Sequence, residues 1–314
     1  MQHTTYMQTA FIQAARATRW ALRVCIAALL ASSLSTAETL VETVKASFQT
    51  NSSKSALAML AAYRTSRGVT PEYVEGLSWV ARREFSAKNY LQAISMAEET
   101  YSLATTLLKT QKLDRDPHLP LALGAAIEVT ANAAAAQGRL SESVSYLNTQ
   151  EKLFANTSIA ARLRKNLLLL TLEGKPAPPL TGLTLPKGKA AILFFWAHWC
   201  SDCKQEIPIL ESIVREFAPL GLRLIAPTQL YGYVAGGMEA TAEAETAYIE
   251  QIRRTYYASL VVGPAVINEN NFVRYGASTT PTLVIVDRAG IVRKYHPGGM
   301  SYAELRNAVT AVMQ

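Results

Sequence analysis

The chain has 314 residues, 49% of them hydrophobic and 18% charged, with a formal net charge of +7. That length holds two compact domains with a core each, and the composition is that of a globular protein. Removing Arg16, Arg19 and Arg23, which sit in an N-terminal segment that reads as an export signal, lowers +7 to +4. That is too little for a nucleic-acid footprint, and the remaining charges alternate in sign along the helices as solvated faces do.

Residues 1–37 follow the order of a secretory signal: basic residues, an apolar run from Val24 to Leu34, then Ser35, Thr36 and Ala37 as a small-residue cleavage site. The run is about half of the ~20 residues that a spanning helix needs. Cleavage after Ala37 is therefore expected, with retention as a membrane anchor as the alternative; Met7 offers a second start. The expected location is periplasmic or otherwise exported. Cys25 falls inside the signal, which leaves Cys200 and Cys203, a C-x-x-C pair, as the cysteines of the mature chain. A disulfide across two residues closes almost no loop and removes little unfolded-state entropy, so the pair reads as chemical rather than structural.

From residue 38 to 172 the chain is rich in Ala, Leu and Ser at helical spacing, and an all-α domain is expected. Two segments within it are alike. Trp79 to Ala93 and Thr130 to Ser143 each carry a small residue (Ala81, Ala131), a turn (Lys88-Asn89, Gly138-Arg139), a large apolar residue (Tyr90, Leu140) and a second small one (Ala93, Ser143). They resemble the helix-turn-helix of tetratricopeptide repeats, although the copies are 50 positions apart instead of the usual ~34. The mismatch implies longer helices or an insertion at Leu113 to Pro120. Stacked helix pairs leave a concave surface suited to docking another protein; the alternative is a spacer packed on the C-terminal domain.

The stretch Glu173-Gly174-Lys175-Pro176-Ala177-Pro178-Pro179 cannot continue a helix and marks a boundary. An α/β domain is expected over residues 173–314. Ala190 to Trp196 reads as a strand buried on both faces, Cys203 to Phe217 as a helix, Leu222 to Pro227 as a strand and Glu243 to Tyr257 as a helix. Thr282 to Asp287 and Ile291 to Tyr295 read as a hairpin, followed by a terminal helix from Tyr302 to Met313.

A C-x-x-C where a buried strand turns into a helix puts its first sulfur at a helix N-terminus, where unpaired N–H groups and the macrodipole favour a thiolate. Cys200, at the turn, would attack a disulfide; Cys203, one turn inside, would resolve the mixed disulfide. With Trp196, Trp199, Glu206, Pro208 and Thr280-Pro281-Thr282, the pair resembles the exported TlpA/ResA-like branch of the thioredoxin fold, from about Gly174 to the C-terminus. The added segment between Thr228 and Tyr275 looks like the same branch. The resemblance implies a central mixed β-sheet flanked by helices and a cis Pro281, where base rates alone would give trans. It also implies a substrate-binding surface at Trp199, Thr280 and Pro281, and Glu206 as the acid that handles the dithiol's protons. Thioredoxin itself carries an aspartate where this chain has Phe194. An exposed helix carboxylate is the plainer reading of Glu206, a turn residue that of Thr280, and ordinary packing that of Trp199. His198 could tune the thiolate or be a surface residue.

The function read from these residues is thiol–disulfide oxidoreduction, directed at reducing disulfides in exported proteins, with a membrane thiol protein as electron donor. No cofactor and no metal is called for. A redox-inert protein-binding scaffold is one rival. A Cu(I) carrier is another, short of a third ligand because no other mature cysteine exists.

Overall fold

The computed structural model describes residues 39–50 and 53–314, so the expected export signal over residues 1–37 lies outside the described residues. Seven helices come first: α1 (Leu40–Ser47), α2 (Ser53–Arg67), α3 (Pro71–Ser86), α4 (Tyr90–Leu107), α5 (His118–Ala136), α6 (Leu140–Leu153) and α7 (Ala160–Thr171). Thr39 opens α1 in a reciprocal cap with Glu42, and Thr70 caps α3 with Pro71 in its first turn, where a missing N–H costs nothing.

The two similar segments form two helix pairs, α3–α4 and α5–α6. Each turns through a left-handed residue at the same relative position, Lys88 (φ 62°) and Gly138 (φ 83°). In each, the next amide closes the helix end: Asn89 donates to the Glu84 carbonyl at 2.9 Å and Arg139 to that of Ala134 at 3.0 Å. The small residues allow close helix approach. Ala81, Ala93 and Ala97 pack together fully buried, and Ser143 Oγ donates to the Ala131 carbonyl at 2.6 Å. The extra spacing is absorbed by an 18-residue α4, a 19-residue α5 and a one-turn 3₁₀ segment at Leu113–Arg115.

The second half contains β1 (Ala191–Phe195), α8 (Ser201–Phe217), β2 (Arg223–Ile225), β3 (Pro227–Thr228), α9 (Ala242–Tyr256), β4 (Val266–Ile267), α10 (Glu269–Tyr275), β5 (Thr282–Val286), β6 (Val292–Pro297) and α11 (Tyr302–Met313). The main sheet runs β2-β1-β5-β6, with β1–β2 parallel and the other two pairings antiparallel. It is the mixed sheet the resemblance implied. Strand alternation sends Ile192, Phe194, Leu283 and Ile285 into one core, under α8, α9 and α11. Leu193, Phe195, Val284 and Val286 enter another, with Phe272 and Tyr275 of α10 and Leu168 and Leu172 from the end of α7. Helix α7 also gives Leu163 and Leu167 to the core of the helical region, so it serves both halves.

The strand expected from Leu222 to Pro227 is split at Ala226. Pro227 has no N–H to extend the β2 ladder, and the Ala226 carbonyl is taken by Trp196 Nε1 at 3.2 Å. The chain shifts outward to form β3, which pairs in parallel with β4. Neither β4 nor α10 was expected from the sequence.

Candidate active site

Strand β1 delivers Trp196 to the sheet edge, where its indole packs on Tyr257 with ring centroids 4.5 Å apart and its backbone carbonyl accepts from Thr228 Oγ1 at 2.8 Å. The loop that follows ends at Cys200, the N-cap of α8. Cys200 Sγ accepts the Cys203 amide at 2.9 Å, and the two sulfurs are bonded. The bonded sulfur occupies the place of the Cys200 thiolate in the reduced protein. That thiolate would keep the Cys203 N–H and face the N-terminal end of a 17-residue helix. In this oxidised form Cys200 is only 2% exposed and Cys203 0%, so the accessible end expected of Cys200 is marginal. Trp199, by contrast, is 48% exposed and stands edge-on to Tyr231 at 5.4 Å.

The Thr280–Pro281 peptide is cis. The pairing of Phe195 with Thr282 sets it level with the end of β1, from which the dithiol loop departs. Gly298 donates to the Pro281 carbonyl at 2.7 Å, and Thr282 Oγ1 donates to that of Thr279 at 2.6 Å. Among the described residues the Thr280 amide, carbonyl and buried hydroxyl have no hydrogen-bond partner. Main-chain groups free in this way are what an extended peptide needs for pairing.

Glu206 is not an exposed helix carboxylate. It is buried, and both carboxylate oxygens lie 3.2 Å from the Met300 amide. Burial raises its pKa above the ordinary carboxylate value, against the Met300 hydrogen bond. The fit is close: a Cβ on Gly299 would lie 2.5 Å from Glu206 Oε2. The Gly298–Met300 segment thus holds both Pro281 and Glu206, a role nothing in its sequence announced. Asp202 is exposed in the first turn of α8.

His198 is buried, not a surface residue. Its Nε2 lies 3.0 Å from Glu245 Oε1 of α9, and Tyr231, Tyr233 and Tyr248 stand edge-on around the ring at 5.7, 5.5 and 5.4 Å. Glu245, fully buried, also accepts the amides of Tyr231 at 2.6 Å and Gly232 at 2.8 Å. Among the described residues His198 Nδ1 is buried with no partner, which suits a neutral ring donating through Nε2. Burial lowers the His198 pKa despite the carboxylate beside it. The inserted segment is thereby fastened to the loop that carries the cysteines. Glu245 was hidden in the sequence because a glutamate in an amphipathic helix looks solvated.

Residues 183–312 match a thioredoxin-like domain family. The thioredoxin-like protein YneN of Bacillus subtilis is 28% identical over 143 residues, 42% of this chain and 76% of that protein. The thiol-disulfide oxidoreductase ResA of Halalkalibacterium halodurans is 27% identical over 150 residues, 47% of this chain and 75% of its own. Among solved structures, a thioredoxin-family thiol:disulfide interchange protein from Chlorobium tepidum covers 45% of this chain and 98% of its own, at 21% identity and a TM-score of 0.34. The fold stands on the sheet order and the sequence match.

Proposed function

The chain is a ResA-like thioredoxin-fold thiol–disulfide oxidoreductase, and from that premise we propose that it reduces disulfides in exported proteins through Cys200 and Cys203. The observation that carries the reading is the cap: Cys200 Sγ at the N-terminus of α8, accepting the Cys203 amide. In the reduced protein the Cys200 thiolate attacks one sulfur of the substrate disulfide. A Cys200–substrate disulfide forms and the other substrate sulfur leaves as a thiolate. Cys203, deprotonated with Glu206 as acceptor or relay, then attacks Cys200 Sγ; the Cys200–Cys203 bond forms and the second substrate thiolate is released. Two electrons pass from the dithiol to the substrate. The substrate backbone lies against Thr280 and Pro281, with Trp199 beside it. A membrane thiol protein on the exported side restores the dithiol.

Direction follows from charge. A stabilised thiolate stabilises the reduced form and makes an oxidant. Here Asp202 lies in the first turn and Glu206 one turn further, and a carboxylate near Cys200 opposes its thiolate. The disulfide form is favoured and the protein is a reductant. Equilibration with glutathione should give a potential nearer the roughly −270 mV of thioredoxin than the roughly −120 mV of DsbA. A value near the latter overturns the direction. Capture of mixed disulfides by the Cys203→Ser variant would identify the substrates.

A further inference from the structure

A cleft of about 530 Å³ separates the helical region from the thioredoxin-like domain, lined by Arg82 of α3, Glu128 of α5, Arg162 and Lys165 of α7, and Ser278 and Thr279. Three cations face one carboxylate. Glu128 is taken by Arg162, at 2.7 Å from Nη2 and 2.8 Å from Nε. Among the described residues neither Arg82 nor Lys165 has an ion-pair partner; Arg82 stacks over Trp79, 4.3 Å from the ring centroid. The nearby Glu75 is already bound to His118 Nδ1 at 2.6 Å and Trp79 Nε1 at 3.2 Å. Asp114 reaches the rim through the Ser158 hydroxyl.

Partly buried cations that outnumber the carboxylate beside them are costly. Burial, then the charge of Arg162, pushes Arg82 down to about 10. Lys165 is lowered by burial and by Arg162 and Arg82, in spite of Glu128. Arg82 and Arg162 each also donate to the Leu121 carbonyl at 3.4 Å, which among the described residues leaves the Lys165 ammonium without a counterpart of that kind. The cleft is also fixed relative to the active site: a Cβ on Gly276 would lie 2.5 Å from the Lys165 amide nitrogen, so α7 rests directly on the turn that leads into Ser278, Thr279 and the cis Thr280–Pro281 peptide. The lining of the cleft therefore reaches to Thr279, one residue before the main-chain groups left free at Thr280.

We propose that this cleft receives a carboxylate side chain of the polypeptide whose disulfide is reduced, so that the substrates are acidic in the residues flanking their cystine. The inference rests on the oxidoreductase reading above and deepens it. Arg82 and Lys165 supply the charge, and the Ser278 and Thr279 hydroxyls supply further donors at the mouth. Attraction of this kind acts chiefly on encounter and weakens with salt.

The test uses the full chain in its reduced form and two disulfide-linked peptides, identical except that one carries glutamates and the other glutamines around its cystine. The kcat/KM ratio of glutamate to glutamine peptide should be at least about fivefold at low ionic strength and fall as NaCl is added. In Arg82→Gln/Lys165→Gln the ratio should collapse toward one. In Glu128→Gln, which removes the competing carboxylate, it should rise, an outcome that loss of folding cannot produce. A ratio near one in the unmodified protein, a preference that survives in the double variant, or a fall in Glu128→Gln overturns the proposal. If neither peptide is reduced, the oxidoreductase reading fails first and takes the cleft with it, whereas equal reduction of both peptides removes the cleft alone.

Discussion

At the scale of single residues, Glu206 keeps a carboxylate where burial disfavours its charge. Its folded pKa is raised, so its contribution to stability is fully present below the unfolded value, 4.5, and is lost as pH rises through the folded value. At neutral pH the protein carries a cost that a glutamine would not. Glu206→Gln should therefore gain stability relative to the unmodified chain between pH 4 and pH 7, read from urea midpoints at each pH. It should also slow thiol–disulfide exchange, by roughly 10²-fold or more if the group transfers a proton. Equal midpoints with an unchanged rate would make it a packing residue. Asp202, exposed and close to the N-cap sulfur, acts by charge alone. Asp202→Asn should raise the reduction potential by about 10–20 mV, the electrical equivalent of one charge at a helix terminus; glutathione equilibration would show it. Cys200 and Cys203 were legible in the sequence because their spacing is the chemistry, whereas the cis Pro281 came only from the family resemblance, since base rates alone give trans. The burial of Glu206 was not, because the segment that covers it lies 94 residues further along the chain.

At the scale of elements, the inserted segment is held to the dithiol loop by one buried carboxylate with three donors, His198 Nε2 and two backbone amides. Removing it leaves those donors unpaired. Glu245→Ala should cost about 3–5 kcal/mol, measured by chemical denaturation. A loss below about 1 kcal/mol would mean that water replaces the carboxylate freely. His198 adds a pH signature. Its folded pKa lies below the ordinary 6.5 because burial penalises the imidazolium. Stability from this group is complete above pH 6.5 and declines as pH falls from there through the folded value. His198→Gln should flatten the acid limb of the stability profile below pH 6.5, and an unaltered limb would show that burial does not shift the ring. Most elements were readable from apolar runs and helical spacing: β1, α8, the β5–β6 hairpin and α11. Strands β3 and β4 have two residues each, too few for periodicity, and α10 has seven. Its ends were nevertheless written, with Asn268 as a capping side chain and Gly276 left-handed at φ 55° as the stop.

At the scale of the whole molecule, the Pro-rich stretch after residue 172 reads in sequence as the end of one domain, yet packing crosses it. Leu163 and Leu167 belong to the helical core and Leu168 and Leu172 to the core beneath the sheet. The sharing was invisible in the sequence because consecutive leucines in one helix do not say which neighbour each will meet. A fragment of residues 173–314 loses the Leu168 and Leu172 side chains from against Leu193, Phe195 and Val284. With roughly 1.5–3 kcal/mol attached to each fully buried leucine, the fragment should melt well below the full chain by circular dichroism. An unchanged midpoint would show that the sheet closes its own face. The full chain should unfold in a single calorimetric transition, because α7 cannot leave one core without opening the other. In evolutionary terms, then, the dithiol half is not freely transferable cargo. A gene fusion that cut at the proline stretch would hand its new host a catalytic sheet with one flank bare. Descent with modification would tend to carry α7 along, and with it whatever α7 has come to hold.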